Sequence, residues 1–200
     1  LLVTQTSVSQ LTAPHLPDFF DMMRAIAQRL ASWGTATFAG YNSMRFDEPF
    51  LQRAFWQALF PPYVTVTGGN ARLDLLPIIR VTSHLRPGLL ALPMREDGKA
   101  SFRLEGLAPA NGFNAHRAHD AMGDVEATLF LAQLIAKRFP ELWKLLAPRA
   151  SKSSTAAILV PQAPVLYFHG GGTSFAAFYQ RIDTRNSIGS HAVLARLDYD

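Results

Sequence analysis

Apolar residues recur at helical spacing over residues 17–32, where Phe19, Met22, Met23, Ile26 and Leu30 form one stripe and Pro17 stands near its start. Gly34 closes that helix. The next six residues, Ala36-Thr37-Phe38-Ala39-Gly40-Tyr41, form a short apolar run that predicts a buried strand. Asp47 then stands as the cap of a predicted helix reaching about Leu59. Pro49 is tolerated in its first turn, where amide donors have no helical partner, and Pro61-Pro62 stop it. Leu75, Leu76, Ile78 and Ile79 predict a helix over 74–81, and Pro, Gly and charged residues mark 85–98 as a loop. A short helix is expected over 101–110, capped by Ser101, with Leu104 and Leu107 inward. A long helix runs from an Asp120 cap to about Phe139, and another helical piece covers 140–146. Residues 1–12 read as a loop or strand end.

The pattern changes after Pro148. Ala150-Ser151-Lys152-Ser153-Ser154-Thr155 has the small, polar composition of a linker. Two β-type runs follow, Val165-Leu166-Tyr167-Phe168 and His191-Ala192-Val193-Leu194-Ala195-Arg196-Leu197, with glycines at 170–172 between them. The expected organisation is an α/β domain over 1–147, a linker over 148–158 and the start of a β-rich domain over 159–200.

Composition narrows the chemistry. A hydrophobic share of 48%, low charge (17%) and 14 Phe in 200 residues argue for a folded core. A net charge of +4 is consistent with an anionic partner such as nucleic acid. With no cysteine, disulfides and thiolate metal sites are excluded, and a hard-cation site built from carboxylates stays open. No apolar run is long enough to span a membrane, and no signal peptide is visible. Gly170-Gly171-Gly172 lacks the helix and lysine of a phosphate-binding loop.

Two segments concentrate candidate catalytic groups: Asn42-x-x-x-Phe46-Asp47 and His119-Asp120-Ala121-Met122-Gly123-Asp124. Each sets a carboxylate beside a helix start. Five residues on a helix turn the direction by about 140°, so His119 and Asp124 do not share a helical face. If the helix begins at Asp120, His119 lies in the approach loop and Asp124 in the first turns, where the helix dipole favours an ionised carboxylate. His119 is then a candidate base for a water proton. The plainer reading makes Asp47 and Asp120 simple caps and His119 a surface residue. Ser101-Phe102-Arg103-Leu104-Glu105 adds a hydroxyl, an aromatic face and a guanidinium whose planar fork suits phosphate.

Together these segments resemble the bacterial exodeoxyribonuclease I family, in the histidine-using branch of the Asp-Glu-Asp-Asp exonucleases. The matching stretches are Gly40-Tyr41-Asn42-Ser43-Met44-Arg45-Phe46-Asp47, Asn70-Ala71-Arg72-Leu73-Asp74-Leu75-Leu76, Leu85-Arg86-Pro87, Ser101-Phe102-Arg103-Leu104-Glu105 with Ala110-Asn111-Gly112, and Ala118-His119-Asp120-Ala121-Met122-Gly123-Asp124. They cover about 1–147. The resemblance implies a ribonuclease H-like α/β fold, a mixed sheet with flanking helices, followed by the start of an SH3-like β domain. It makes Asp47 and Asp124 two of four acidic metal ligands and His119 the general base. It gives Arg103 a phosphate of the bound strand, and it sets Arg80, Tyr63 and Asn42 among the substrate contacts. The implied reaction is 3′→5′ removal of nucleoside 5′-monophosphates from single-stranded DNA with two Mg²⁺ ions, Mn²⁺ being an alternative metal. The implied partner, besides single-stranded DNA, is the acidic tail of single-strand-binding protein. A monomer in the bacterial cytoplasm, with no membrane contact, is expected.

The departures set further expectations. The family's Asp-x-Glu pair, on its opening strand, is expected to lie before Leu1, since Asp18 and Asp21 sit at a helix start with the wrong spacing to replace it. The 200 residues are therefore expected to be a fragment lacking the opening strands, inactive by itself. Thr65, Thr67 and Gly68 stand where the family places aromatics after Tyr63, which weakens base stacking. Two other functions compete: an RNA-trimming exonuclease of the same superfamily, and a non-catalytic nucleic-acid-binding module. The β-rich extension disfavours the first, and the second has no need of His119.

Overall fold

A computed structural model describes residues 7–114, 121–147, 156–160, 163–168, 176–181 and 194–197. The chain divides into two compact units, 1–147 and 148–200.

The first unit opens with α1 (Val8–Leu11), a single turn held by a capping box. The Ser7 side chain accepts from the Gln10 amide, and the Gln10 side chain accepts from the Ser7 amide. The expected loop or strand end is thus a helix, set by a reciprocal cap that hydrophobic spacing does not register. α2 (Phe19–Ser32) starts at Asp18, whose carboxylate accepts from the Asp21 amide at 2.8 Å. Its buried Met23 packs with Phe55 and Ala58 into a small second core.

β1 (Thr37–Gly40) leads through a turn into α3 (Asp47–Gln57), and β2 (Ala71–Asp74) leads directly into α4 (Leu75–Leu85). The sequence reading contained no strand at 71–74, because four residues carry too short an alternation to register. α4 also runs four residues beyond the expected Val81. β1 and β2 pair in parallel, with Gly40 opposite Asp74. Among the described residues this parallel pair is the whole sheet of the first unit, rather than the expected mixed sheet. The register brings the carboxyl ends of both strands side by side, which is where open α/β sheets place ligands.

α5 (Leu104–Ala110) begins three residues later than expected. Arg103, not Ser101, is its N-cap, so 101–103 remain outside the helix. α6 (Ala121–Arg138) and α7 (Pro140–Leu146) complete the unit. The main core joins Leu75, Ile78 and Ile79 of α4 to Leu107 and Ala108 of α5 and to Ala127, Leu131 and Ile135 of α6. Fully burying each such Leu or Ile contributes roughly 1.5–3 kcal/mol, so these three helices are held as one block.

In the second unit β3 (Pro164–Phe168), β4 (Ala176–Arg181) and β5 (Leu194–Arg196) form an antiparallel sheet in that order. Tyr167 lies opposite Ala177, and its ring meets the diagonal Tyr179 edge-on at 5.7 Å. The glycines at 170–172 lie outside the described residues. Among the described residues no helix is long and apolar enough to cross a membrane.

Candidate active site

The turn after β1 is built tightly. A β-carbon at Gly40 would meet the Ser43 side chain at 2.5 Å, so only glycine fits there. Asn42 takes a left-handed conformation (φ 57°), which asparagine tolerates better than most residues. Within the turn the Arg45 amide donates to the Asn42 carbonyl, and the Phe46 and Glu48 amides donate to the Ser43 carbonyl.

That turn delivers Asp47 as the first residue of α3. Phe46 is the N-cap, and no side chain caps the helix. The expected Asp47 cap is therefore absent, and its exposed carboxylate is left to face a groove. The next residue behaves oppositely. Glu48 is buried, accepts from Arg72 of β2 at 2.9 Å, and lies 3.4 Å from the Thr65 hydroxyl.

Asp74, at the end of β2, is also buried. One of its oxygens accepts from the Leu76 amide at 3.1 Å, capping α4, and from the Asn42 amide at 2.7 Å. The other lies 3.4 Å from the Met44 amide. These amides satisfy the buried carboxylate.

α6 carries two stripes. Gly123, Ala127, Leu131 and Ile135 recur every four residues and are buried. Offset by one position, Asp124, Thr128 and Ala132 line the groove, with Ala121, Val125 and Leu129 beside them. Asp124 thus sits in the first turn of α6, half-buried, with its carboxylate lining the groove.

The groove is about 1110 Å³, larger than a typical small-molecule pocket of roughly 300–1,000 Å³. It gathers Asn42 and Asp47 from one turn with Arg80, Arg103 and Asp124 from three other segments. Arg80 of α4 also holds its guanidinium 5.6 Å from the centre of the Phe102 ring. Arg103 projects into solvent, with its side chain 81% exposed and only a long 3.9 Å approach to Glu105. The Tyr41 hydroxyl donates to the Phe102 carbonyl, tying the end of β1 to the Arg103 segment. Burial pushes the Tyr41 phenol well above its ordinary value, with smaller upward contributions from Asp74 and Glu105 against a downward pull from Arg80.

Tyr63 is exposed and does not line this groove. His119 and Asp120 lie outside the described residues. Among the described residues no three His, Asp or Glu side chains gather as a metal site. Asp47 and Asp124 are nonetheless hard oxygen donors opening on one groove, the donor type a cation such as Mg²⁺ takes, and they make a partial set. Sequence reasoning gave no role to Asp74, Glu48 or Tyr41. The signal for Asp74 was its place immediately before an apolar helical run; the other two lacked one.

No protein-family model matches the chain. Proteins it resembles include exonucleases acting on DNA. Several curated relatives carry the name exodeoxyribonuclease I. The Escherichia coli K12 protein of that name is 38% identical over 147 residues, covering 69% of this chain and 31% of the relative. The chain thus spans about a third of that relative's length. A moderately thermophilic exonuclease I from Methylocaldum szegediense superposes with a TM-score of 0.78 at 29% identity, over 90% of this chain and 39% of that one. Escherichia coli exonuclease I in complex with a dA16 oligonucleotide gives 0.72 at 30% identity, over 82% and 36%.

Proposed function

We propose that these residues form part of a 3′→5′ exonuclease of the exodeoxyribonuclease I type, which shortens single-stranded DNA and releases nucleoside 5′-monophosphates. The observation that carries this reading is one groove receiving Asp47 from the β1–α3 turn and Asp124 from α6, in a chain 38% identical to that enzyme.

In this reading Asp47 and Asp124 hold divalent metal, Mg²⁺ by preference, as part of a four-carboxylate, two-ion site. When bound, the metal supplies Lewis-acid stabilisation of the charge that develops at the phosphate. His119 takes the proton of the attacking water as its oxygen bonds to phosphorus, and the bond to the 3′ oxygen breaks. Arg103 holds a phosphate with its guanidinium fork, and its high exposure keeps it available for one. Arg80 and the Phe102 ring line the path of the terminal nucleotide, with Asn42 beside them. Tyr63, outside the groove, contacts the strand farther from its end. The ribonuclease H-like assignment of the first unit rests on the parallel β1–β2 pair and the exonuclease I likeness. The antiparallel sheet of the second unit supports an SH3-like assignment, and the acidic tail of single-strand-binding protein is the proposed protein partner.

A longer protein that carries these residues and supplies the two further carboxylates, given single-stranded DNA labelled at its 3′ end and Mg²⁺, is expected to release labelled mononucleotides. His119→Ala should stop release while strand binding persists. Undiminished release by both His119→Ala and Asp124→Ala would overturn the proposal.

A further inference from the structure

Arg72 and Asp74 stand two residues apart on β2, so their side chains leave the same face of the strand. Both reach the segment that carries Asp47. Asp74 takes the Asn42 amide at 2.7 Å and approaches the Met44 amide at 3.4 Å, at the start of that segment. Arg72 takes the Glu48 carboxylate at 2.9 Å, at its end. Between these two points the turn is closed by its own backbone hydrogen bonds. Asp47 is therefore an exposed member, beside Arg45 and Phe46, of a short segment fastened on both sides by one strand. From this we infer that Asp74, with Arg72 as the second fastening, is a positioning residue that fixes the Asp47 carboxylate relative to Asp124.

The inference rests on the reading of Asp47 and Asp124 as metal ligands and goes beyond it by naming what holds the first of them in place. Asp74 acts in two ways that can be separated. Its cap to Leu76 serves α4, and its bonds to Asn42 and Met44 serve the turn. An acceptor bearing full charge makes bonds about twice as strong as a neutral one, and the Asn42 bond is the shortest of the three. Losing a supporting partner behind a metal ligand weakens metal affinity by about 10–100-fold.

The test uses Mn²⁺ alone, read by broadening of backbone amide NMR signals in the 200-residue chain, with thermal unfolding followed in parallel. In the unsubstituted chain Mn²⁺ should broaden signals around Asp47 and Asp124, and Asp47→Asn should weaken that effect. Asp74→Asn retains an oxygen for both the Asn42 and Leu76 amides and should bind Mn²⁺ within about threefold of the parent. Asp74→Ser retains a helix cap but is too short to reach Asn42. It should fold, shift the Asn42 amide signal and lose about 10–100-fold in Mn²⁺ affinity. Asp18→Ala removes a comparable cap from α2 and should leave Mn²⁺ binding unchanged. A folded Asp74→Ser chain that binds Mn²⁺ as the parent does would overturn the inference alone. If Mn²⁺ produces no effect at Asp47 in the parent, or Asp47→Asn changes nothing, the metal-site reading fails and the inference falls with it.

Discussion

The two sides of the groove are held in opposite ways. On one side Asp47 rises from a turn whose neighbours are buried and bonded to β2, with Asp74 and Glu48 both nearly sealed from solvent. On the other side Arg103 stands at the N-cap of the helix it precedes, its side chain exposed, while the Tyr41–Phe102 bond ties the preceding residue to the end of β1. The contrast fits the two tasks that the proposed function assigns to these sides. A cation needs its oxygens at fixed distances, so the carboxylate side is braced. A strand that moves through the site after each cleavage needs a phosphate contact that can let go and re-form.

The largest effect should come from the braced side. Asp124→Ala or Asp47→Ala should lower the rate of mononucleotide release by about 10³-fold, since metal stabilisation of the transition state is worth several kcal/mol. Quenched-flow release from labelled strands measures it. Next is the buried ion pair. Glu48→Gln should lower unfolding free energy by about 2–3 kcal/mol in denaturant titration, less than a fully buried pair loses because Arg72 keeps 30% of its side chain exposed. Replacing both partners by apolar residues should recover most of that loss. Arg103→Ala should leave stability within about 0.5 kcal/mol of the parent. It should weaken single-strand affinity by about tenfold and reduce the slope of log affinity against log salt by about 0.7, for one phosphate contact. A salt slope that does not change would remove Arg103 from the phosphate path.

The smallest effect concerns the tether itself. Tyr41→Phe removes one hydrogen bond and should cost about 1 kcal/mol near neutral pH. Its pH dependence has a definite sign. The folded-state value of the phenol is raised by burial, so its contribution is fully present below about pH 10 and is lost as pH climbs toward the raised value. Tyr41→Phe should therefore unfold with less alkaline sensitivity than the parent, as melting curves between neutral and strongly alkaline buffer would reveal.

What the sequence made legible follows a clear division. α2 and α7 carry long apolar periodicity or a Pro start, and they form close to where that periodicity puts them. Asp47 and Asp124 were recognisable because each belongs to a motif at a helix start. β2 was not, since four residues do not make a readable alternation. The Asp74–Asn42 and Glu48–Arg72 bonds join positions 32 and 24 residues apart, and nothing local in either partner announces the other. Asp47 illustrates the limit in one residue: local propensity makes it a cap, whereas in the fold Phe46 takes that place and Asp47 is exposed.

The four-residue recurrence of Gly123, Ala127, Leu131 and Ile135 has a consequence for how such a chain can vary. Substitutions along α6 that respect volume leave the helix seated. A one-residue insertion or deletion within its buried stripe would rotate everything on one side of it by about 100°. The core would then have to choose between keeping its apolar contacts and keeping Asp124 toward the groove. Change in this helix is therefore expected as exchange of side chains at fixed length, with length variation confined to the segments on either side.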